Sequence, residues 1–138
     1  DAANAGWGWS HTHLTLTTLR VPCAAPTPVR QPLPAAFSRP LALRLGLDPE
    51  ALDRPEGAAI FAGNALPGGA RPIAQAYAGH QFGHFTTLGD GRAILLGEID
   101  TAQGPQKLQP KGAGKTPYSR MGDGRAVPRN PFREVLCP

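Results

Sequence analysis

The stretch Phe85-Thr86-Thr87-Leu88-Gly89-Asp90-Gly91-Arg92-Ala93-Ile94-Leu95-Leu96-Gly97-Glu98-Ile99 decides how this chain is read. Two apolar runs, Phe85 to Leu88 and Arg92 to Ile99, flank Gly89-Asp90-Gly91. Asp-Gly between apolar runs is a strong hairpin signal, because the tightest two-residue turns need positive φ at both central residues. The stretch therefore predicts two antiparallel strands joined by that turn. A second turn spans Thr101 to Gln106 and contains Gly104-Pro105, and Gln106 to Lys111 reads as a third strand. A Gly-rich segment runs from Gly112 to Gly124, and Asn130-Pro131 then opens a helix, with Asn as the cap and proline at its first position. Strand, Gly turn, strand, strand, helix is an α+β order.

Upstream the signals change. Ala35 to Leu47 has apolar residues at helical spacing, interrupted by Pro40. Asp48-Pro49 predicts a short helix through Leu52, with a capping carboxylate followed by proline. Ala58 to Ala62 and Ile73 to Tyr77 are expected to add helical turns. Residues 1–33 have no clear period: Trp7-Gly8-Trp9 leads into a Thr-rich run to Thr18, and prolines from Pro22 to Pro34 imply extended chain. The expected organisation is a poorly defined segment over 1–33, a helical and loop-rich extension over 34–84, and a sheet-and-helix core over 85–138.

Composition bounds the function classes. With 41% hydrophobic residues among 138, the chain can bury one modest core, although Gly 17 and Pro 16 make it loop-rich. The net charge of +4 suits polyanions, but no run of like charges marks a nucleic-acid arm. Only Tyr118 and Phe132 accompany the Arg-rich C-terminal stretch, so no aromatic stacking platform for nucleic acid is evident. Cys23 and Cys137 are too few for a disulfide framework, which favours a reducing, cytoplasmic setting. No apolar run is long enough to span a bilayer, and no signal peptide is visible. The start without Met and the stop at Cys137-Pro138 read as a fragment.

Several residues carry chemistry. Gly89-Asp90-Gly91-Arg92-Ala93 recurs as Gly122-Asp123-Gly124-Arg125-Ala126. One recurrence is no solenoid, but two such loops suit a single ligand. Glycine lets backbone N–H groups approach closely, and a guanidinium matches phosphate oxygens. The plain alternative is an ordinary turn beside a solvated Arg. Lys111-Gly112-Ala113-Gly114-Lys115-Thr116 lacks the first glycine of a phosphate loop, since Gln109 stands there, so Lys115 is expected to face solvent. Lys111 at the end of the third strand and Glu134 on the following helix match the lysine–glutamate pair of kinases. The alternative is a surface pair of little consequence. His80 and His84 have helical metal-ligand spacing, but Gly79 and Gly83 interrupt a helix, which favours histidines packed in a turn.

The run Ala74-Gln75-Ala76-Tyr77-Ala78-Gly79-His80-Gln81-Phe82-Gly83 resembles the signature of the selenoprotein O family. So do Leu88-Gly89-Asp90-Gly91-Arg92-Ala93, Leu96-Gly97-Glu98, Lys111-Gly112-Ala113-Gly114, Thr116-Pro117-Tyr118-Ser119-Arg120, Gly122-Asp123-Gly124-Arg125-Ala126 and Arg133-Glu134. The resemblance covers roughly residues 26 to 137. It implies a protein-kinase-like N-lobe and an enzyme that uses ATP and Mg²⁺ to move AMP onto Ser, Thr or Tyr hydroxyls of proteins. It also implies that ATP is flipped relative to ordinary kinases. Gly89, Gly91, Arg92, Lys111, Asp123 and Gly124 would hold the nucleotide, with Glu134 paired to Lys111. The family's catalytic Asp and its metal-binding Asn and Asp fall beyond this chain, so the 138 residues alone are expected to be inactive. Pro110 stands where the family has Leu, and Pro128-Arg129-Asn130-Pro131-Phe132 where it has Leu-Arg-Ser-Ser-Ile. The competing reading is a pseudokinase remnant that acts as a non-enzymatic binding module.

Overall fold

A computed structural model describes residues 1–15, 22–81 and 83–136. The end of the Thr-rich run, Phe82 and Cys137-Pro138 lie outside the described residues. The fold is α+β with antiparallel sheets. A 3₁₀ turn at Ala2–Asn4 leads to β1 (Trp9–Ser10) and α1 (Thr12–Thr15). Three short helices follow, α2 (Arg39–Arg44), α3 (Pro49–Leu52) and α4 (Pro55–Phe61). Then come β2 (Ala78–Gln81), β3 (His84–Thr87), β4 (Gly97–Thr101), β5 (Gly104–Leu108) and α5 (Arg129–Leu136).

The helices start and stop where local chemistry requires. Ser38 caps α2 through Leu41 N–H, and Pro40 occupies its first turn, so this proline starts a helix where an interruption was expected. The helix ends in a Schellman motif: Leu47 N–H donates to Ala42 O at 2.9 Å and Gly46 N–H to Leu43 O at 3.0 Å. Gly46 takes φ +74 to close it. Asp48 caps α3 as expected, its carboxylate accepting from Glu50 N–H at 2.9 Å. One core cluster gathers here, with Leu47, Leu52 and Ile60 against Ile99 of β4.

Two readings of the sheet are corrected. Phe85 to Leu88 does not pair with Arg92 to Ile99. Instead β3 pairs with β2, in the register Ala78↔Thr87 to Gln81↔His84. Gly89 carries the positive φ (+97), whereas Asp90 and Gly91 do not, so the Asp-Gly step is no hairpin turn. The chain turns there because Asp90 is tied down: its N–H donates to Gln75 O at 2.8 Å. Ile73 to Tyr77 is likewise extended rather than helical. Ile73 and Leu95 exchange both backbone hydrogen bonds at 2.9 Å, and Ile73 also bridges Cys23. A strand partner on each side satisfies donors that a helix would have used internally.

β4 pairs with β5 on one side and β1 on the other. Their turn is only Ala102-Gln103, since Gly104 and Pro105 lie in β5 opposite Thr101 and Asp100. The pairing continues beyond β5, with Ile94 N–H to Pro110 O at 3.1 Å and Gly112 N–H to Arg92 O at 2.6 Å. A bulge lies between: Leu96 N–H donates to Leu108 O while Gly97 is the register partner of Leu108, so two residues face one. Pro110 accepts from Ile94 but has no N–H to return, and the ladder crosses that point on a single bond. Lys111 thus stands just past β5, bridged to Ala93.

The N-terminus has an order its sequence hid. Trp7 and Trp9 stack at 5.7 Å, and Trp9 and His11 at 6.0 Å, which puts alternate residues on one face of an extended strand. Trp9 joins both core clusters and donates through Nε1 to Gly68 O at 2.7 Å. The chain exposes 9058 Å², against ~6,900 Å² for a globule of this mass. Part of the excess lies on α5, where Phe132, Val135 and Leu136 are all exposed. The helix begins at Arg129, one residue before the expected cap, so Asn130 and Pro131 both lie within its first turn.

Candidate functional site

The second core cluster gathers Ala24, Ala74, Ile94, Leu96 and Ala113, with Tyr118 packed against it. Tyr118 also borders a cavity of about 480 Å³, within the range of small-molecule sites. Gly89, Gly91, Arg92, Lys111, Asp123 and Gly124 all line it. Residues far apart in sequence are brought together because 92–96 runs beside 108–112, while the bridge Ala113↔Arg125 returns the chain alongside. Glu134 lies in an adjoining cavity with Arg92, Asn130 and Arg133. Its carboxylate accepts from the Lys111 ammonium. The two side chains are 57% and 46% exposed, so the pair contributes at most about 1 kcal/mol to stability. What the pairing does is restrict where the lysine points.

The two Gly-Asp-Gly-Arg copies are not copies in space. In the first, Gly89 is left-handed and Asp90 is buried, its carboxylate accepting from Gln75 N–H at 3.0 Å and Gln109 Nε2 at 3.1 Å. In the second, the other glycine, Gly124, is left-handed (φ +71) and Asp123 is exposed. Asp123 Oδ1 accepts from Arg125 N–H at 2.9 Å, an Asx turn. A Cβ on Gly124 would sit 1.9 Å from Gly114 O. Glycine therefore serves first to let two backbone loops touch. The carboxylate of Asp90 is used up inside the protein, and among the described residues lining the cavity Asp123 is the exposed acid.

Sequence reasoning missed part of the lining. Tyr118, Ser119, Arg120 and Arg125 also face the cavity. With Arg92 and Lys111 this gives four cationic side chains around one opening, the arrangement that concentrates a polyanion. Arg120 is the described non-glycine residue with positive φ (+55). That conformation costs about 1–2 kcal/mol for an L-residue. The tight turn that Gly122 N–H closes onto Ser119 O at 2.9 Å imposes it. Glycine or asparagine normally marks a left-handed turn position, so an arginine there carries no sequence signal for it.

Lys115 is exposed and is not among the residues lining the cavity. His80 and His84 sit on the two strands of the β2–β3 hairpin, with His80 edge-on to Phe85 at 5.4 Å. Among the described residues no three His, Cys, Asp or Glu side chains converge as a metal site, and no helix is long and apolar enough to cross a membrane.

A family model described as protein adenylyltransferase SelO matches residues 24–138. A protein from Geobacillus kaustophilus (strain HTA426), named protein nucleotidyltransferase YdiU, is 52% identical over 134 residues, covering 96% of this chain and 28% of the relative. A relative of the same name from Bacillus cereus (strain AH820) is 52% identical over 133 residues, covering 96% of this chain and 27% of its own length. The chain thus spans little more than a quarter of the curated relatives it matches. Matched over most of its length, the chain belongs to the SelO family.

Proposed function

We propose that this chain forms the ATP-holding part of a protein nucleotidyltransferase with a kinase-like N-lobe. The observation that carries the reading is the convergence of both Gly loops, Arg92 and Lys111 on one cationic cavity. A lysine beside the sheet, paired to a glutamate on the following helix, is how kinases hold a phosphate-binding lysine extended. Arg92, Lys111, Arg120 and Arg125 suit the phosphate oxygens. Asp123, as a carboxylate, suits a hydroxyl or amine of the nucleotide instead. The names of the SelO family and of the YdiU relatives support nucleotidyl transfer.

In the complete protein the acceptor is a Ser, Thr or Tyr hydroxyl of a protein. Its oxygen forms a bond to the α-phosphorus, the bond from that phosphorus to the bridging oxygen breaks, and pyrophosphate leaves with the electron pair. The hydroxyl proton passes to a base outside this chain. Magnesium, when bound, would neutralise the phosphate charge; the described residues do not make a site for it by themselves, and their part is to orient the nucleotide. The test is calorimetric titration of the full-length protein with ATP, together with mass spectrometry of an incubated protein acceptor. ATP binding that weakens in Arg92→Ala, and an AMP adduct on a hydroxyl side chain, are expected. Absence of ATP binding by the unaltered protein would refute the reading.

A further inference from the structure

Asp90, Thr116 and Ser119 are buried polar residues that meet behind the first Gly loop. Thr116 and Ser119 belong to one tight turn, Thr116-Pro117-Tyr118-Ser119, closed by Ser119 N–H to Thr116 O at 3.1 Å. Proline at its second position sets the φ that such a turn needs. The turn reaches across to the Gly loop with both hydroxyls. Thr116 Oγ1 donates to Asp90 O, and Ser119 Oγ donates to Gly91 O at 2.7 Å. Ser119 Oγ also accepts from Thr116 N–H at 2.7 Å, and Thr116 Oγ1 accepts from Tyr118 N–H at 3.1 Å. The Tyr118 ring lies under Gly89, where a Cβ would come within 2.8 Å of its Cγ.

In a trans peptide the C=O and the N–H point in opposite directions. Anchoring the carbonyls of Asp90 and Gly91 to the turn therefore aims the next two N–H groups, of Gly91 and Arg92, away from it. Among the described backbone hydrogen bonds neither N–H has an acceptor. Two successive free N–H groups beside a guanidinium make an anion-binding edge. The same turn continues directly into Arg120 and Gly122, which also line the cavity.

We infer that Thr116 and Ser119 are positioning residues: their hydroxyls clasp the first Gly loop so that its free N–H groups are presented to an anionic ligand, and they hold the two Gly loops at a fixed spacing. For ATP as that ligand, the inference rests on the nucleotide reading above.

The experiment uses the full-length protein with Ser119→Ala, Thr116→Val and Thr116→Ser, and with Asn64→Ala as control. Asn64 holds Val29 through two hydrogen bonds, of 2.8 and 2.7 Å, and is not among the residues lining the cavity. Two readouts are taken: the Kd for ATP, and the rate of tryptic cleavage after Arg92 without nucleotide. Ser119→Ala and Thr116→Val should each weaken ATP binding about fivefold and speed cleavage after Arg92. Thr116→Ser keeps the hydroxyl and should bind ATP as the unaltered protein does, as should Asn64→Ala. Equal weakening in Asn64→Ala would overturn the inference, because general destabilisation would then explain it. Unchanged affinity and cleavage in Ser119→Ala would overturn it as well. If the unaltered protein binds no ATP, the nucleotide reading fails on its own. Cleavage after Arg92 then decides the clasp: acceleration in Ser119→Ala supports it and no change refutes it.

Discussion

Replacing Gly124 by alanine tests whether the glycines of this site serve backbone contact. Two penalties act at this position. Gly124 has φ +71, a left-handed conformation that costs an L-residue about 1–2 kcal/mol. Its Cβ would also lie 1.9 Å from Gly114 O, 2.2 Å from Gly114 C and 2.7 Å from Lys115 N. All three atoms are backbone, so no side chain can swing aside. Relieving the overlap means separating the two loops, which breaks the Gly114 N–H to Gly124 O bond of 3.2 Å, worth about 1 kcal/mol. The expected loss is about 2–3 kcal/mol in all. Gly46→Ala provides the comparison. Its φ is +74, but nothing lies within 4 Å of its Cβ, so only the same conformational penalty of about 1–2 kcal/mol applies. The assay is urea unfolding of the chain followed by the fluorescence of Trp7 and Trp9. A midpoint lowered by about 1–2 M is expected for Gly124→Ala, and a clearly smaller shift for Gly46→Ala. Equal shifts would refute the contact argument and leave backbone conformation as the sole cause.

Four further outcomes are expected. Arg92→Ala in the full-length protein should weaken ATP binding about tenfold, the loss of one charge-assisted phosphate contact, while Lys115→Ala should leave it unchanged; calorimetry giving equal effects would remove the distinction. Arg120→Gly should raise the unfolding midpoint, since up to about 1 kcal/mol of left-handed strain is relieved, yet weaken ATP binding through the lost guanidinium. Glu134→Gln should change stability by less than about 1 kcal/mol but raise the Kd for ATP, and a large melting shift would show that the pair is structural instead. The 138-residue chain alone, incubated with labelled ATP, Mg²⁺ and a protein acceptor, should form no AMP adduct, and a metal-dependent adduct would mean that a catalytic group lies within it.

Much of the site was legible because its chemistry is local. Gly-Asp-Gly-Arg, Lys111 and Glu134 are recognisable by residue type and order, and the structure gathers the loop residues and the lysine around one cavity, with Glu134 paired to that lysine. Arg120 and the Thr116–Ser119 clasp were not legible. Their importance comes from a turn that forces one arginine left-handed and from hydroxyls that reach backbone atoms more than twenty residues away in sequence.

The sequence alone determined the elements whose causes lie within a few residues. Asp48-Pro49 caps and starts α3, and the apolar run Ile94-Leu95-Leu96, closed by Ile99, marks buried extended chain. Strand pairing was decided only by the tertiary structure. Asp90-Gly91 has the composition of a hairpin turn, but the Asp90 carboxylate is drawn into the protein by Gln75 and Gln109, and β3 pairs back onto β2 instead. Ile73 to Tyr77 reads as a helical turn in the sequence, yet Ile73 has the extended partners Cys23 and Leu95 on its two sides. Local propensity differs between such states by only about 1 kcal/mol or less per residue. Burying Ile94, Leu95 and Leu96 completely in a paired sheet contributes several times that, so long-range pairing overrode the local signal.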